Sequence, residues 1–278
     1  MKKIFSALML FSFLISFSQY RFHYRYSFIP DGNKKDSIVQ DIMTLDVDLS
    51  KKESNFYNDA KRYNDSILSK NGAAAVQRLF FLQHNSNLTY NITKDLLKDK
   101  MIYHTVYSGI RMKITEKSRP KWALANEEKK IRDYLCQKAE TNFKGRNWIA
   151  WFTKEIPVSE GPYKFSGLPG LIVEIYDEEK NHEFSLVEVK KNKNAELHDF
   201  SKKEKEITQM QLNKLIDDGY KDPNANIKEM HISNSNYTFL LNDGNILKIR
   251  KGIKNLDSEL SKQMRRMTNS IEIEKRLN

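Results

Sequence analysis

The sequence predicts an α+β protein that is mostly antiparallel β, a curved open sheet or partial barrel with a few helices. Three observations carry this expectation. Residues 20–28, Tyr-Arg-Phe-His-Tyr-Arg-Tyr-Ser-Phe, place an aromatic at every even position and Arg, His or Ser at every odd one, the period of a half-buried strand. Turn-forming clusters such as Pro30-Asp31-Gly32-Asn33 and Asn242-Asp243-Gly244-Asn245 separate segments of strand character. Strand-like segments also follow one another without regular intervening helices, which disfavours a parallel βαβ sheet.

Taken in order, 36–49 contains Ile38, Ile42, Leu45, Val47 and Leu49 and ends in strict alternation, so it pairs with 20–28 as an antiparallel hairpin. Residues 51–70 are polar with scattered aromatics and read as a short surface helix. Residues 72–93 read as an excursion with partial helix. Residues 100–116 read as one or two strands bent near Gly109. For 131–142 two readings stand: Ile131, Leu135 and Ala139 fit a helix, yet a strand is also open. Trp148 to Phe152 is apolar on both faces and predicts a buried strand. Leu171–Tyr176 and Phe184–Val189 form a hairpin across 177–183. Residues 201–218 are the best helix candidate, with Ser201 as cap and Ile207, Met210, Leu212, Leu215 and Ile216 at helical spacing. Tyr237–Leu241 and Ile246–Ile249 make a last hairpin, and the polar, basic 255–278 reads as helical through Met267.

The N-terminus carries a positive Met1-Lys2-Lys3, an apolar run from Ile4 to Phe17 and small residues at Ser16 and Ser18. That order is a secretory signal peptide, with cleavage expected after Ser18 and Gln19 as the new terminus. The expected organisation is a signal peptide over 1–18 and a single domain over 19–278. No later apolar run approaches the roughly 20 residues of a membrane-spanning helix, and no cysteine follows the signal to carry a lipid. Cys136 is the only cysteine, so no intrachain disulfide braces the core. The formal charge of +11 is spread along the chain, with 18 basic against 13 acidic residues over 190–278. Nucleic-acid binders concentrate charge on one stripe, so no nucleic-acid partner is expected. Attraction to anionic lipid head groups is a secondary reading.

One segment stands out: Trp148-Ile-Ala-Trp151-Phe-Thr153, Ile156-Pro157, Gly161-Pro162-Tyr163-Lys164-Phe165 and Gly167-Leu168-Pro169-Gly170-Leu171-Ile172. With Tyr134, Cys136-Gln-Lys138-Ala139, Phe143 and Gly145-Arg146 upstream, it resembles the GLPGLI family, named from the hexapeptide at 167–172. The resemblance is sharp across 134–175. It implies an exported Bacteroidetes-type envelope protein of unknown activity, a strand over 131–142, and a fold loosely like that of lipoprotein carriers. No catalytic residues are assigned in that family, so none carry over.

Within this segment Pro169 fixes its own φ and holds Leu168 extended, while Gly167 and Gly170 allow positive φ. The loop is therefore rigid. One reading makes it a binding lip, with Arg146, Trp148, Trp151, Tyr163, Phe165, Leu168 and Pro169 as candidate ligand-binding residues. The other makes it a crossover plugging one end of the sheet, which carries more weight because Gly/Pro turns usually serve geometry. Arg146 invites a salt bridge to Glu174 or a ligand carboxylate.

Chemistry is otherwise sparse. The six histidines are too far apart to form a short-spaced zinc motif, and His182-Glu183 lacks a second histidine at Leu186. No nucleophile elbow or phosphate loop appears. Cys136 reads as a small buried hydrophobe. A carboxylate pair such as Glu160 and Glu174, with Glu155 nearby in sequence, would suit a hydrolase only if folding brought it into one cleft. The expectation is thus a binding protein rather than an enzyme. It would use no metal or cofactor and would bind a hydrophobic ligand, a peptide or an envelope component such as an outer-membrane protein. The periplasm or full secretion would be its location. A carboxylate-based envelope hydrolase and an accessory to an outer-membrane receptor are the alternatives.

Overall fold

A computed structural model describes residues 19–59, 90–107, 110–191, 204–221, 237–240, 246–249 and 271–272. The strands are β1 (Gln19–Phe28), β2 (Val39–Asp48), β3 (Glu53–Asn58), β4 (Asn91–Asp95), β5 (Lys100–Tyr107), β6 (Ile110–Glu116), β7 (Ala123–Ile131), β8 (Tyr134–Phe143), β9 (Arg146–Thr153), β10 (Leu171–Asp177), β11 (His182–Lys191) and β12 (Lys205–Glu206). One helix, α1 (Gln209–Lys221), and a separate hairpin of β13 (Tyr237–Leu240) and β14 (Ile246–Ile249) follow. β1 to β12 form one 12-stranded sheet in the order β12-β6-β5-β4-β3-β2-β1-β11-β10-β9-β8-β7. Every neighbouring pair is antiparallel except β12 with β6. The sheet is open, as the patterning predicts.

Period two sorts its faces. Phe22, Tyr24, Tyr26 and Phe28 of β1 point to the inner face, opposite Leu45 and Met43 on β2 and Phe184 on β11. Continuing through the register, the inner face gathers Phe56, Ile92, Tyr103 and Ile114 on one side and Ile175, Trp148, Ala150 and Ala139 on the other. These residues are almost all buried, and most belong to one apolar cluster. Rings stack across strands, as with Tyr26 and Phe184 at 4.2 Å between centroids. The curvature is deep. Lys144, in the turn between β8 and β9, reaches Glu116 on β6 at 3.2 Å, although the two lie near opposite ends of the strand order.

Several expectations need correction. The helix expected over 51–70 gives way to strand β3, and 60–89 lie outside the described residues. Alternation failed to reveal β3 because both its faces are occupied: Phe56 enters the core while Tyr57 donates its hydroxyl to Asp46 on the other face at 2.7 Å. The excursion over 72–93 ends in β4. Residues 134–142 are strand, as the family resemblance implies, and the helical reading fails because the turn at Arg132-Asp133 separates Ile131 from Leu135 and Ala139, which lie on an extended chain. β7 has no apolar period because most of it is exposed. The helix over 201–218 starts later. Thr208, not Ser201, caps it, accepting from Gln211 N at 3.2 Å while the Gln211 side chain accepts from Thr208 N at 2.8 Å. Its apolar face, Leu212 with Ile207 just ahead, packs on Met112 and Ile114 of β6. The turn at 241–245 and most of 255–278 lie outside the described residues.

Candidate functional site

The segment from Ile156 to Ile172 leaves β9, crosses the inner face and returns into β10. It is held first by its own backbone. Glu160 and Ser166 form an isolated antiparallel bridge, Phe165 N donates to Pro162 O at 3.1 Å, Gly167 N to Ser159 O at 3.1 Å, and Ile172 N to Glu160 O at 3.0 Å. Gly170, at φ +152°, brings the chain back against β9. A Cβ there would lie 2.0 Å from the Thr153 carbonyl oxygen, which explains the glycine. Tyr163 holds a left-handed φ of 53° and donates its hydroxyl to Glu272 at 2.5 Å.

Two buried lysines then fasten the segment to the sheet. Lys94, on the inner face of β4, donates to Glu160 Oε2 at 2.7 Å and to the carbonyls of Gly161 at 2.9 Å and Phe165 at 3.0 Å. All three ammonium protons are therefore used. Burial pulls the Lys94 ammonium below its ordinary pKa despite the attraction of Glu160. Lys164 reaches the other way, to Glu116 at 2.7 Å and Glu272 at 2.6 Å. Burial pushes the Glu116 carboxyl up, but Lys164 and Lys144 outweigh it and hold it below the usual carboxylate range. Trp122 adds an indole N–H to the Ser166 carbonyl at 2.9 Å.

The candidate ligand residues take different places. Trp148, Phe165 and Leu168 are core, with Trp148 edge-on to Phe165 at 4.6 Å and donating to the Phe143 carbonyl at 3.1 Å. Tyr163 is buried beside them, and Pro169 is exposed. Arg146 is buried and paired with Asp177 at 2.8 Å, not with Glu174. Asp177 is the inner-face residue directly ahead of Ile175, whereas Glu174 faces outward. Burial holds the Asp177 carboxyl above its ordinary pKa, against the pull of the His182 N–H and Arg146. Trp151 lies on the outer face beneath Lys129, whose ammonium sits 4.3 Å over its ring and 2.9 Å from Glu174.

Two open grooves, each of about 370 Å³, flank the β8–β9 turn. One runs between β6, Lys144 and the start of α1, with Ile114, Glu116 and Ile207 in its walls. The other lies beside Thr141, Asn142, Asn147, Trp148 and Glu178. There the Asn142 amide donates to Asn147 Oδ1 at 2.8 Å and the Asn147 amide to Glu178 at 3.0 Å. Of the seven candidate residues, Trp148 lines the second groove and the other six line neither.

The three carboxylates singled out in the sequence do not share a cleft. Glu160 belongs to Lys94 on the inner face, Glu174 to Lys129 on the outer face, and Glu155 accepts from the Leu135 backbone N–H at 2.8 Å. Burial pushes the Cys136 thiol up to about 11, although Lys129 pulls it down, so it stays protonated and inert. His104 links Thr93 Oγ1 at 3.0 Å to Glu204 at 2.9 Å, the connectivity of a nucleophile, base and acid, but neither groove touches it. Sequence reading missed Lys94, Lys144 and Glu116, since nothing local marks a lysine that will be buried by a segment distant in sequence. Among the described residues no group of three His, Cys, Asp or Glu side chains suits a metal ion. No helix among them is long and apolar enough to cross a membrane.

Residues 140–174 match the family described as "Protein of unknown function (Porph_ging)". No curated protein matches the chain. Among solved structures, PNGF-II in the C2 and P21 space groups is similar at TM-scores of 0.50 and 0.51 and 14% identity, over 71% of this chain. The chain spans about a third of PNGF-II, 32% and 33% of the two structures, and at this identity the likeness concerns the fold alone. A putative outer membrane lipoprotein-sorting protein domain from Vibrio parahaemolyticus aligns over 70% of this chain and 94% of its own. It is 7% identical, with a TM-score of 0.26.

Proposed function

We propose that this chain is an exported member of the GLPGLI family, a single domain after loss of residues 1–18, that acts in the bacterial envelope by binding. The site we propose is the groove beside Trp148, and the ligand a peptide or envelope component rich in polar groups. The observation that carries the reading is the contrast between the two faces of β8 and β9. Among the described residues the loop and the Trp148 side chain fill the inner face, while the outer face of the same strands holds a groove whose walls offer the amides of Asn142 and Asn147 and the carboxylates of Glu140 and Glu178. Export rests on the order of positive, apolar and small residues over 1–18. The separation of Glu155, Glu160 and Glu174 leaves the hydrolase alternative without a supporting observation.

Native mass spectrometry on protein taken gently from its own source tests this. A reproducible added mass that survives desalting, and is lost when the exposed Asn147 is replaced by Trp to fill the groove, is the expected result. A bare mass in the wild type would overturn the ligand reading in favour of an accessory role with an outer-membrane receptor. An added mass that persists in Asn147→Trp would place the site elsewhere.

A further inference from the structure

The exposed edge of the sheet at β7 carries a pattern that the reading above does not use. Among the described residues β7 pairs on one side only, with β8. A two-residue turn, Arg132-Asp133, joins the strands and makes Ile131 opposite Tyr134 the hydrogen-bonded pair that closes the hairpin. Alternation along an antiparallel ladder then turns the N–H and C=O of Ile131 and Lys129 toward β8, and those of Lys130 and Glu128 outward. The side chains of Glu128 and Lys130 are both exposed and stand on the inner face, beside the exposed Leu135. Upstream the ladder is interrupted between Leu124 and Glu128, where the Ala125 carbonyl accepts from the Gln137 side chain at 2.8 Å. The regular free edge is therefore Glu128–Ile131.

A charged edge ordinarily prevents pairing. This one alternates sign at a spacing that is complementary to itself. Two copies joined edge to edge by a twofold axis perpendicular to the sheet keep each face on its own side. Paired residue numbers must then sum to an even value. A register centred on Lys129 sets Glu128 opposite Lys130 of the second copy, twice, and these are also the residues whose backbone groups point outward. Lys129 meets its own counterpart there, but its ammonium is drawn away to Glu174 and the Trp151 ring. A register centred on Glu128 instead sets Glu128 against its own copy, and its favourable pairs would need Glu127 and Lys129, which already serve Lys138 and Glu174.

We infer that β7 is a self-association edge, at which a second copy of this chain adds antiparallel through two Glu128–Lys130 pairs and the outward backbone groups of the same residues. The edge is short, so the dimer is weak, forms reversibly with concentration and loosens with salt.

Sedimentation equilibrium of the full chain, taken up to its solubility limit at low and high salt, tests the inference. The wild type is expected to dimerise, and E128K or K130E alone to weaken association by about tenfold or more. The double swap E128K/K130E should return it to within about threefold of wild type. An equimolar mixture of the two single variants should form a heterodimer, because one chain then offers two lysines and the other two glutamates. All substitutions sit at exposed positions, and circular dichroism confirms that each variant is folded. A wild type that stays monomeric throughout would overturn the proposal. So would a dimer indifferent to these charges, or an edge occupied by a strand of another protein.

Discussion

Lys94 and Lys129 each meet a glutamate, at 2.7 Å and 2.9 Å, yet their surroundings are opposite. Lys94 and Glu160 are both 1% exposed, and the lysine also binds two carbonyls of the signature loop. Lys129 and Glu174 are 39% and 21% exposed on the outer face. Removing charge from water costs several kcal/mol per ion, so a buried pair is tolerated only when its geometry satisfies every proton. The inner pair fixes one conformation of the loop. The outer pair is screened and interchangeable. Equal distances thus conceal unequal consequences, and burial decides between them.

The sharpest way to break this comparison is Lys94→Met, which leaves Glu160 buried without its cation. It is expected to cost about 3–5 kcal/mol in urea unfolding. Adding Glu160→Leu should recover part of that loss, the remainder being the two carbonyls left without a donor. Gly170→Ala comes next. A methyl group forced against the Thr153 carbonyl should lower stability by about 2–3 kcal/mol, with the unfolding slope unchanged.

Acid distinguishes two carboxylates within the inner region more gently. Glu116 is held below its ordinary pKa by Lys164 and Lys144, so its contribution is complete above an unfolded value of about 4.3 and fades as pH falls through the lower folded value. Asp177 is held above its ordinary pKa and works in the opposite sense, favouring the fold below about 3.9 and losing that contribution as pH rises. Urea midpoints taken between about pH 3 and pH 5 should therefore fall toward acid less steeply in Lys164→Met than in the wild type. The smallest effect is expected from Lys129→Met, about 0–1 kcal/mol. If it matched Lys94→Met, the contrast drawn from burial would be wrong.

What could be read in the sequence follows the same physical line. Strands with one apolar face, β1, β2 and the β10–β11 hairpin, announce themselves by alternation. β9 announces itself as an unbroken apolar run. β3 and β7 do not, because one is occupied on both faces and the other is largely exposed, so neither shows a period of two. The signature loop was legible as rigid from its glycines and prolines, and the plug was one of two readings. The lysines that fasten it were not, since Lys94 sits in a segment with little apolar patterning and meets Glu160 only through tertiary folding. Trp148 and Trp151 look equivalent in sequence. Their odd spacing sends them to opposite faces of β9, which separates a core residue packed on Phe165 from one covered by Lys129.

The central claim is that the signature loop is a fixed part of the inner core, and hydrogen exchange at its backbone tests this most directly. The amides of Phe165, Gly167, Gly170 and Ile172 each donate to a carbonyl of the same loop. They are expected to exchange as slowly as the amides of β9 and β10, through global unfolding. Exchange about a hundredfold faster than in those strands would show a loop that opens on its own, and would contradict the account.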